Sequence, residues 1–213
     1  MTALATPLER VTLVGTSVEL QPMDPGHAPG LVAAYAPGTM AHFSQSVDVL
    51  EPLDADRALA YVQEARDGWA RGEYLPFTVV ERSTQRVLGA TRLGAIDPLV
   101  PHVEIGWTWY APDVRGSIVN PECKLLLLTH AFDELGCRVV RLKTGHHNLA
   151  SQAAIAKLGA TRDGVLRRDR FQLDGRLRDT IVFSILDDDW PRVRAGLADR
   201  IARHAATPER GEG

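Results

Sequence analysis

Apolar positions recur along this chain in two periods, and where one gives way to the other predicts an alternating order of strands and helices. Positions 11–20 read as a strand or hairpin with Gly15 as its weak point, and MDPGHAPG (23–30) is punctuated as a turn. A short helix follows over 31–35, then a loop over 44–54. Asp54 is placed to cap a helix reaching about Arg71, with Ala58, Tyr61, Val62, Ala65 and Trp69 on its apolar face. Positions 77–82 and 87–96 predict an antiparallel hairpin about the polar STQR turn. Positions 102–110, rich in β-branched and aromatic residues, predict a strand that Pro112 ends.

The next stretch predicts a long helix. Asn120 suits an N-cap, Pro121 the first helical position, and Glu122 the favourable end of the dipole. Leu125 to Leu128, Ala131 and Phe132 make the helix apolar nearly all round, hence buried, until Gly136. RVVRLKT (138–144) is a further strand, and strand–helix–strand at this length implies a right-handed parallel crossover. Asn148 or Ser151 caps a helix to about Leu158. Positions 161–173 and 176–186 read as strands about a two-residue Asp174-Gly175 turn. Asp188 or Asp189 caps a last helix with Trp190, Val193, Leu197 and Ile201 inward. The expectation is one α/β domain with a mixed sheet over 1–204 and a flexible tail over 205–213.

Composition narrows the class. Among 213 residues, 45% are hydrophobic and 24% charged, the balance of a soluble globular protein. A formal charge of −3 argues against a general nucleic-acid binder. No apolar run is long enough to span a membrane, and MTALATPLER lacks a signal peptide's apolar stretch. Cys123 and Cys137 form no disulfide framework and have no metal partner at a standard spacing, so reduced thiols in a cytoplasmic, metal-free protein are expected.

The candidate chemistry lies between the central strand and the long helix. Gly116 permits close backbone approach, a helix start leaves N–H groups unpaired, and Arg115 adds charge, so the turn is an anion site in outline. The bland alternative is an ordinary strand–helix connection with a solvated arginine.

Read in order, VEIGWTWYAPDVRG (103–116), NPECKLLLLTHAFDELG (120–136), RVVRLKT, NLASQAAIAKLGA (148–160), GVLRR (164–168) and DGRLRDTIVFSIL (174–186) resemble the GNAT superfamily of N-acetyltransferases, within it the RimJ/RimL-like branch. The resemblance covers nearly the whole chain. It implies a GNAT-like α/β (α+β) fold: a mixed, mostly antiparallel sheet with a parallel splayed strand pair and flanking helices. It also implies acetyl-CoA as donor and a primary amine, a protein N-terminus or a small molecule, as acceptor. The implied diphosphate contacts are Arg115, Gly116, Ser117, Ile118, Val119 and Asn120. The family's turn carries Gln or Arg, a glycine and a small residue; the positions here are Asp113, Gly116 and Ile118, and only the glycine matches. Backbone of Trp107, Thr108 and Trp109 is implied to pair with the pantetheine amides as an added strand would. Asn148 matches the family's cofactor-binding asparagine. Ser151 falls near the thioester sulfur, as a proton donor to the leaving thiolate or as a helix cap. Glu104 is implied as the general base, acting directly or through water; the alternative is an ion-paired strand carboxylate. The oxyanion would meet a strand N–H near Trp109.

Other residues are weighed against surface roles. His102, His146 and His147 are strand-end or loop histidines, and Arg167, Arg168, Arg170, Arg176 and Arg178 are a solvated face or a site for an acidic acceptor or a CoA phosphate. Alternation puts Trp107 and Trp109 on one face of their strand and Thr108 on the other. The acceptor pocket is expected from 42–49 and the last hairpin. A homodimer is compatible with the long final strands and the apolar C-terminal helix. The competing reading from another class is a non-catalytic CoA-binding or regulatory module with the same fold. A nucleotide-binding oxidoreductase is disfavoured, since no dinucleotide glycine pattern follows Tyr110.

Overall fold

The computed structural model describes residues 9–40, 53–97, 100–172 and 174–205. The strands are β1 (Leu13–Val14), β2 (Val18–Pro22), β3 (Tyr74–Glu81), β4 (Val87–Asp97), β5 (His102–Tyr110), β6 (Val139–Gly145), β7 (Thr161–Phe171) and β8 (Leu177–Leu186). They form one sheet ordered β1-β2-β3-β4-β5-β6-β8-β7. Every pairing is antiparallel except β5 with β6. This is the mixed, mostly antiparallel sheet that the sequence led us to expect.

The helices are α1 (Ala28–Ala34), α2 (Ala55–Ala70), α3 (Val119–Thr129), α4 (Leu149–Ala156) and α5 (Trp190–Ala205). One core cluster joins the sheet to α3, α4 and α5 through Leu127, Leu128, Ile155, Trp190, Val193 and Leu197. A second, on the opposite face, joins α1 and α2 to Ala90, Trp109 and Ala111 through Leu31, Tyr61, Val62 and Ala65. Fully buried aliphatic side chains such as Leu127 and Leu128 each contribute about 1.5–3 kcal/mol to this packing. Asp54 caps α2, accepting from Arg57 N at 2.9 Å, as expected. Cys123 and Cys137 are free and buried.

Three local expectations are corrected. The 23–30 stretch is more ordered than a turn. Asp24 accepts from Gly26 N while His27 Nδ1 accepts from Asp24 N, and this capping box leads through a 3-10 turn directly into α1. Asn120 does not cap the long helix, which begins at Val119 with Ile118 in the cap position and no side-chain cap. The preceding turn supplies the stop instead: Ser117 Oγ donates to Val114 O at 2.6 Å and accepts from Val119 N at 3.2 Å. The same helix changes to a π-helical turn over His130–Glu134 before Gly136. The last hairpin is not a two-residue turn. Gln172 N donates to Arg176 O at 2.8 Å, which leaves a three-residue loop with Gly175 at φ +81, the left-handed position such loops need.

Candidate active site

The parallel pair creates the site. β5 and β6 pair only from His102/Val139 to Ile105/Leu142, and beyond that register they part. A cleft of about 520 Å³ opens between them, lined by Glu104, residues 106–110, Lys143, Thr144, Asn148, Ser151 and, from the helix α3 end, Arg115, Gly116, Asn120 and Lys124. Sequence reasoning placed the splay here, and the structure brings Glu104, Asn148, Ser151, Trp107, Thr108, Trp109, Arg115, Gly116 and Asn120 to one cavity.

A bulge shapes its wall. The register of β4 against β5 shifts between Ala90/Trp109 and Arg92/Gly106, and Trp107 takes φ +52, left-handed for a non-glycine residue. The inserted residue resets the alternation. Val103 and Ile105 face the α3 side, Trp109 faces α1 and α2, and the Thr108 hydroxyl turns back toward α3. Trp107 and Trp109 therefore do share a face, but through the bulge. Trp107 packs on Tyr74 with ring centroids 5.8 Å apart. Below them sits Arg92, 1% exposed, bonded to Glu64 at 3.0 Å and flanked by the rings of Tyr61, Tyr74 and Trp107. Burial alone would depress its basicity, yet Tyr61, Glu64 and Tyr74 together outweigh that and raise it. This support was not singled out from sequence; a lone arginine in an apolar strand was the available signal.

At the mouth, main-chain donors divide in alternation. Arg115, Ser117 and Val119 N–H groups are bonded within the turn. Those of Gly116, Ile118 and Asn120 have no partner among the described residues. Gly116, at φ +78, makes the turn, and a Cβ there would meet nothing within 4 Å. Arg115 is tied down, Nε donating to Tyr110 O at 3.1 Å and Nη2 to Thr39 Oγ1 at 3.0 Å. Asn120 Oδ1 accepts from Tyr110 Oη at 3.2 Å. Asp113 pairs with Arg86 at 2.7 Å, which holds its carboxyl below the usual range and turns it away. Ser117, Ile118 and Val119 line no part of the cleft with their side chains, and Val119 is core.

Deeper in, Asn148 caps α4 by accepting from Ser151 N at 3.1 Å, so Ser151 is not the cap. The Ser151 hydroxyl has no hydrogen bond among the described residues. Glu104 forms an ion pair with Lys143 at 2.8 Å, its side chain only 14% exposed. His102 is buried rather than superficial. Arg141 Nη1 lies 3.0 Å from its Nε2, and since arginine can only donate, Nδ1–H is left to bond Val100 O at 2.9 Å. His146 Nδ1 accepts from Asp179 N, and neither it nor His147 lines the cleft. Of the arginine cluster, Arg170 and Arg178 reach the cavity. The 42–49 stretch lies outside the described residues.

A strand pair that splays, a bulged central strand and a donor-rich helix start together form one cleft, and comparison with known proteins shows the family to which this fold belongs. The acetyltransferase (GNAT) domain model matches residues 17–161, and the chain belongs to that family. It is 29% identical over 103 residues to "Putative ribosomal N-acetyltransferase YdaF" of Bacillus subtilis (strain 168), a match covering 48% of this chain and 55% of that relative. The chain thus spans about half the length of the curated relative it matches. A crystal structure described as a putative acetyltransferase from T. thermophilus is 31% identical, with TM-score 0.77 over 89% of this chain and 96% of the other. A GCN5-related N-acetyltransferase from Brucella melitensis superposes with TM-score 0.84 at 24% identity, covering 99% and 92%.

Proposed function

We propose that the protein transfers an acetyl group from acetyl-CoA to a primary amine, by direct attack through a tetrahedral intermediate. The observation that carries this is the continuous cleft, which runs from Gly116 and Asn120, whose N–H groups and that of Ile118 between them are unpaired among the described residues, past the bulged strand to Glu104 and Ser151.

In this reading the diphosphate sits on those three donors at the positive end of α3, with Arg115 beside it. The pantetheine arm lies along Trp107, Thr108 and Trp109, on the edge that β6 vacates. Asn148, through the α4 start that it caps, positions the end of the arm. Chemistry needs an uncharged amine, and alkyl amines titrate near pH ~10. Glu104 takes the amine proton, directly or through one water, and Lys143 fixes where its carboxylate stands. The amine nitrogen then bonds to the thioester carbon, and the oxyanion is held by a β5 N–H near Trp109. As the C–S bond breaks, Ser151 Oγ passes a proton to the departing thiolate and recovers one, through water, from the nitrogen, which sheds it as the neutral amide forms. Juxtaposition of the two substrates supplies much of the rate. The acceptor is a protein N-terminus or a small amine, and the site of action is cytoplasmic.

The Glu104–Lys143 ion pair is the one observation favouring the alternative, a carrier-binding module in which Glu104 is structural. Thiol release from acetyl-CoA, screened against N-terminal peptides, polyamines and amino acids, separates the two. Turnover with some amine is expected, with Glu104→Gln lowering kcat by about 10²-fold or more between pH 6 and 9. Unchanged turnover in that variant removes Glu104 from the chemistry. Tight acetyl-CoA binding without acetylation of any amine supports the module.

A further inference from the structure

Lys124 is the odd residue of its helix. It lies on the second turn of α3, 6% exposed, beside the core residues Cys123, Leu127 and Leu128. Its Nζ donates to Thr108 Oγ1 at 3.2 Å, and Thr108 Oγ1 lies 2.8 Å from Thr91 Oγ1. Among the described residues no carboxylate comes within ion-pair distance of it. A lysine side chain has three N–H donors, and one hydroxyl answers only one of them. A leucine here would continue the apolar face without desolvating an amine.

The amine does face something. Lys124 lines the cleft together with Asn120, one turn nearer the helix start, and Gly116 before it. Four helical residues rise about 6 Å. Asn120 and Lys124 therefore continue a polar track from the free N–H groups of the turn toward the bulge at Trp107, and Lys124 ends it against Thr108. A carrier whose diphosphate occupies the helix start would lay its arm along this track, and the arm's acceptors are carbonyl oxygens.

We propose that Lys124 Nζ holds a carbonyl oxygen of the carrier's pantetheine arm, as a cofactor-binding residue supplied by α3. This rests on the acetyl-CoA reading above. The neighbours support it. Desolvation, only partly opposed by Cys123, pulls the amine's pKa down to about 8, the signature of a cation short of partners. A bound carbonyl supplies the missing one. Thr91, through Thr108, keeps the amine aimed along the cleft.

Lys124→Met keeps the length and removes the donors, and it folds readily because a thioether replaces a buried amine. Calorimetry on wild type and variant would measure Kd for acetyl-CoA and for adenosine 3′,5′-bisphosphate, which shares the nucleotide end but lacks the arm. The expected result is acetyl-CoA binding weakened by about tenfold or more, the effect of a charge-assisted hydrogen bond, with the bisphosphate unchanged. Equal acetyl-CoA affinity in the two proteins overturns the inference. Equal weakening for both ligands also overturns it, since that marks a disturbed helix start. A fall in kcat at unchanged Kd assigns Lys124 to chemistry instead, and overturns it too. If wild type itself does not bind acetyl-CoA, it is the underlying function that fails, a separate outcome.

Discussion

Buried polar side chains carry most of what is particular to this chain. Lys124 has a cost in the free protein that depends on pH. Its pKa falls from 10.5 unfolded to about 8 folded, so between those values the unfolded chain binds more protons. Stability from this group therefore rises as pH climbs from about 8 to 10.5, and is lowest below 8. Cys123, pushed up to about 12 by burial, and Tyr110, raised by burial and by Cys123, keep their protons across that window. Lys124→Met should be more stable than wild type at pH 7, by on the order of 3 kcal/mol, and the gap should narrow by pH 10. Thermal melts of both proteins across pH check this. Glu122 makes the opposite case. Read from sequence as a first-turn acid, it is 3% exposed, and its Oε1 accepts from Thr16 N and from Ser17 N, fastening the β1–β2 turn to α3. Glu122→Ala should cost about 2 kcal/mol in urea unfolding, because the two turn N–H groups lose a charged acceptor that tied them to α3.

Among the elements, β5 decides the site. Its bulge puts a tryptophan in a left-handed conformation, and such strain persists only where the surroundings enforce it. Arg92 is the enforcer within β4, wedged under Trp107 and anchored to Glu64 on α2. Arg92→Met should therefore do two things: lower stability by about 2 kcal/mol, and reduce turnover at saturating acetyl-CoA as the strand relaxes. Denaturant melts and steady-state kinetics on the same preparation test both. Loss of stability with kinetics unchanged would mean that the bulge holds without this support.

Across the whole molecule, packing is uneven. Helices cover both faces of the central strands, whereas β7, at the sheet edge, is exposed along almost its entire length and pairs only with β8. Val165, Leu166, Phe171 and Leu177 stand open there. The apolar face of α5 is used inside the molecule, through Trp190, Val193 and Leu197, so it is not available to a partner. Hydrogen exchange should show β4 and β5 amides protected to the level of global unfolding, and β7 amides exchanging first. Protection of β7 that grows with protein concentration would mark this ribbon as the contact of a homodimer.

Periodicity and punctuation by themselves determined the order of elements, the parallel β5–β6 crossover and the stretch holding the turn at Gly116, because these follow from local spacing and from residues such as Asp54 and Gly136 whose backbone preferences are their own. Motif order also determined the family. What tertiary structure alone decided were the partners: Asn148 rather than Ser151 at the cap, Lys143 against Glu104, Glu122 on a turn far away along the chain, and Lys124 in the cleft. Each of these depends on which side chains are brought together across the sheet, and no spacing along a chain encodes a contact made between distant segments.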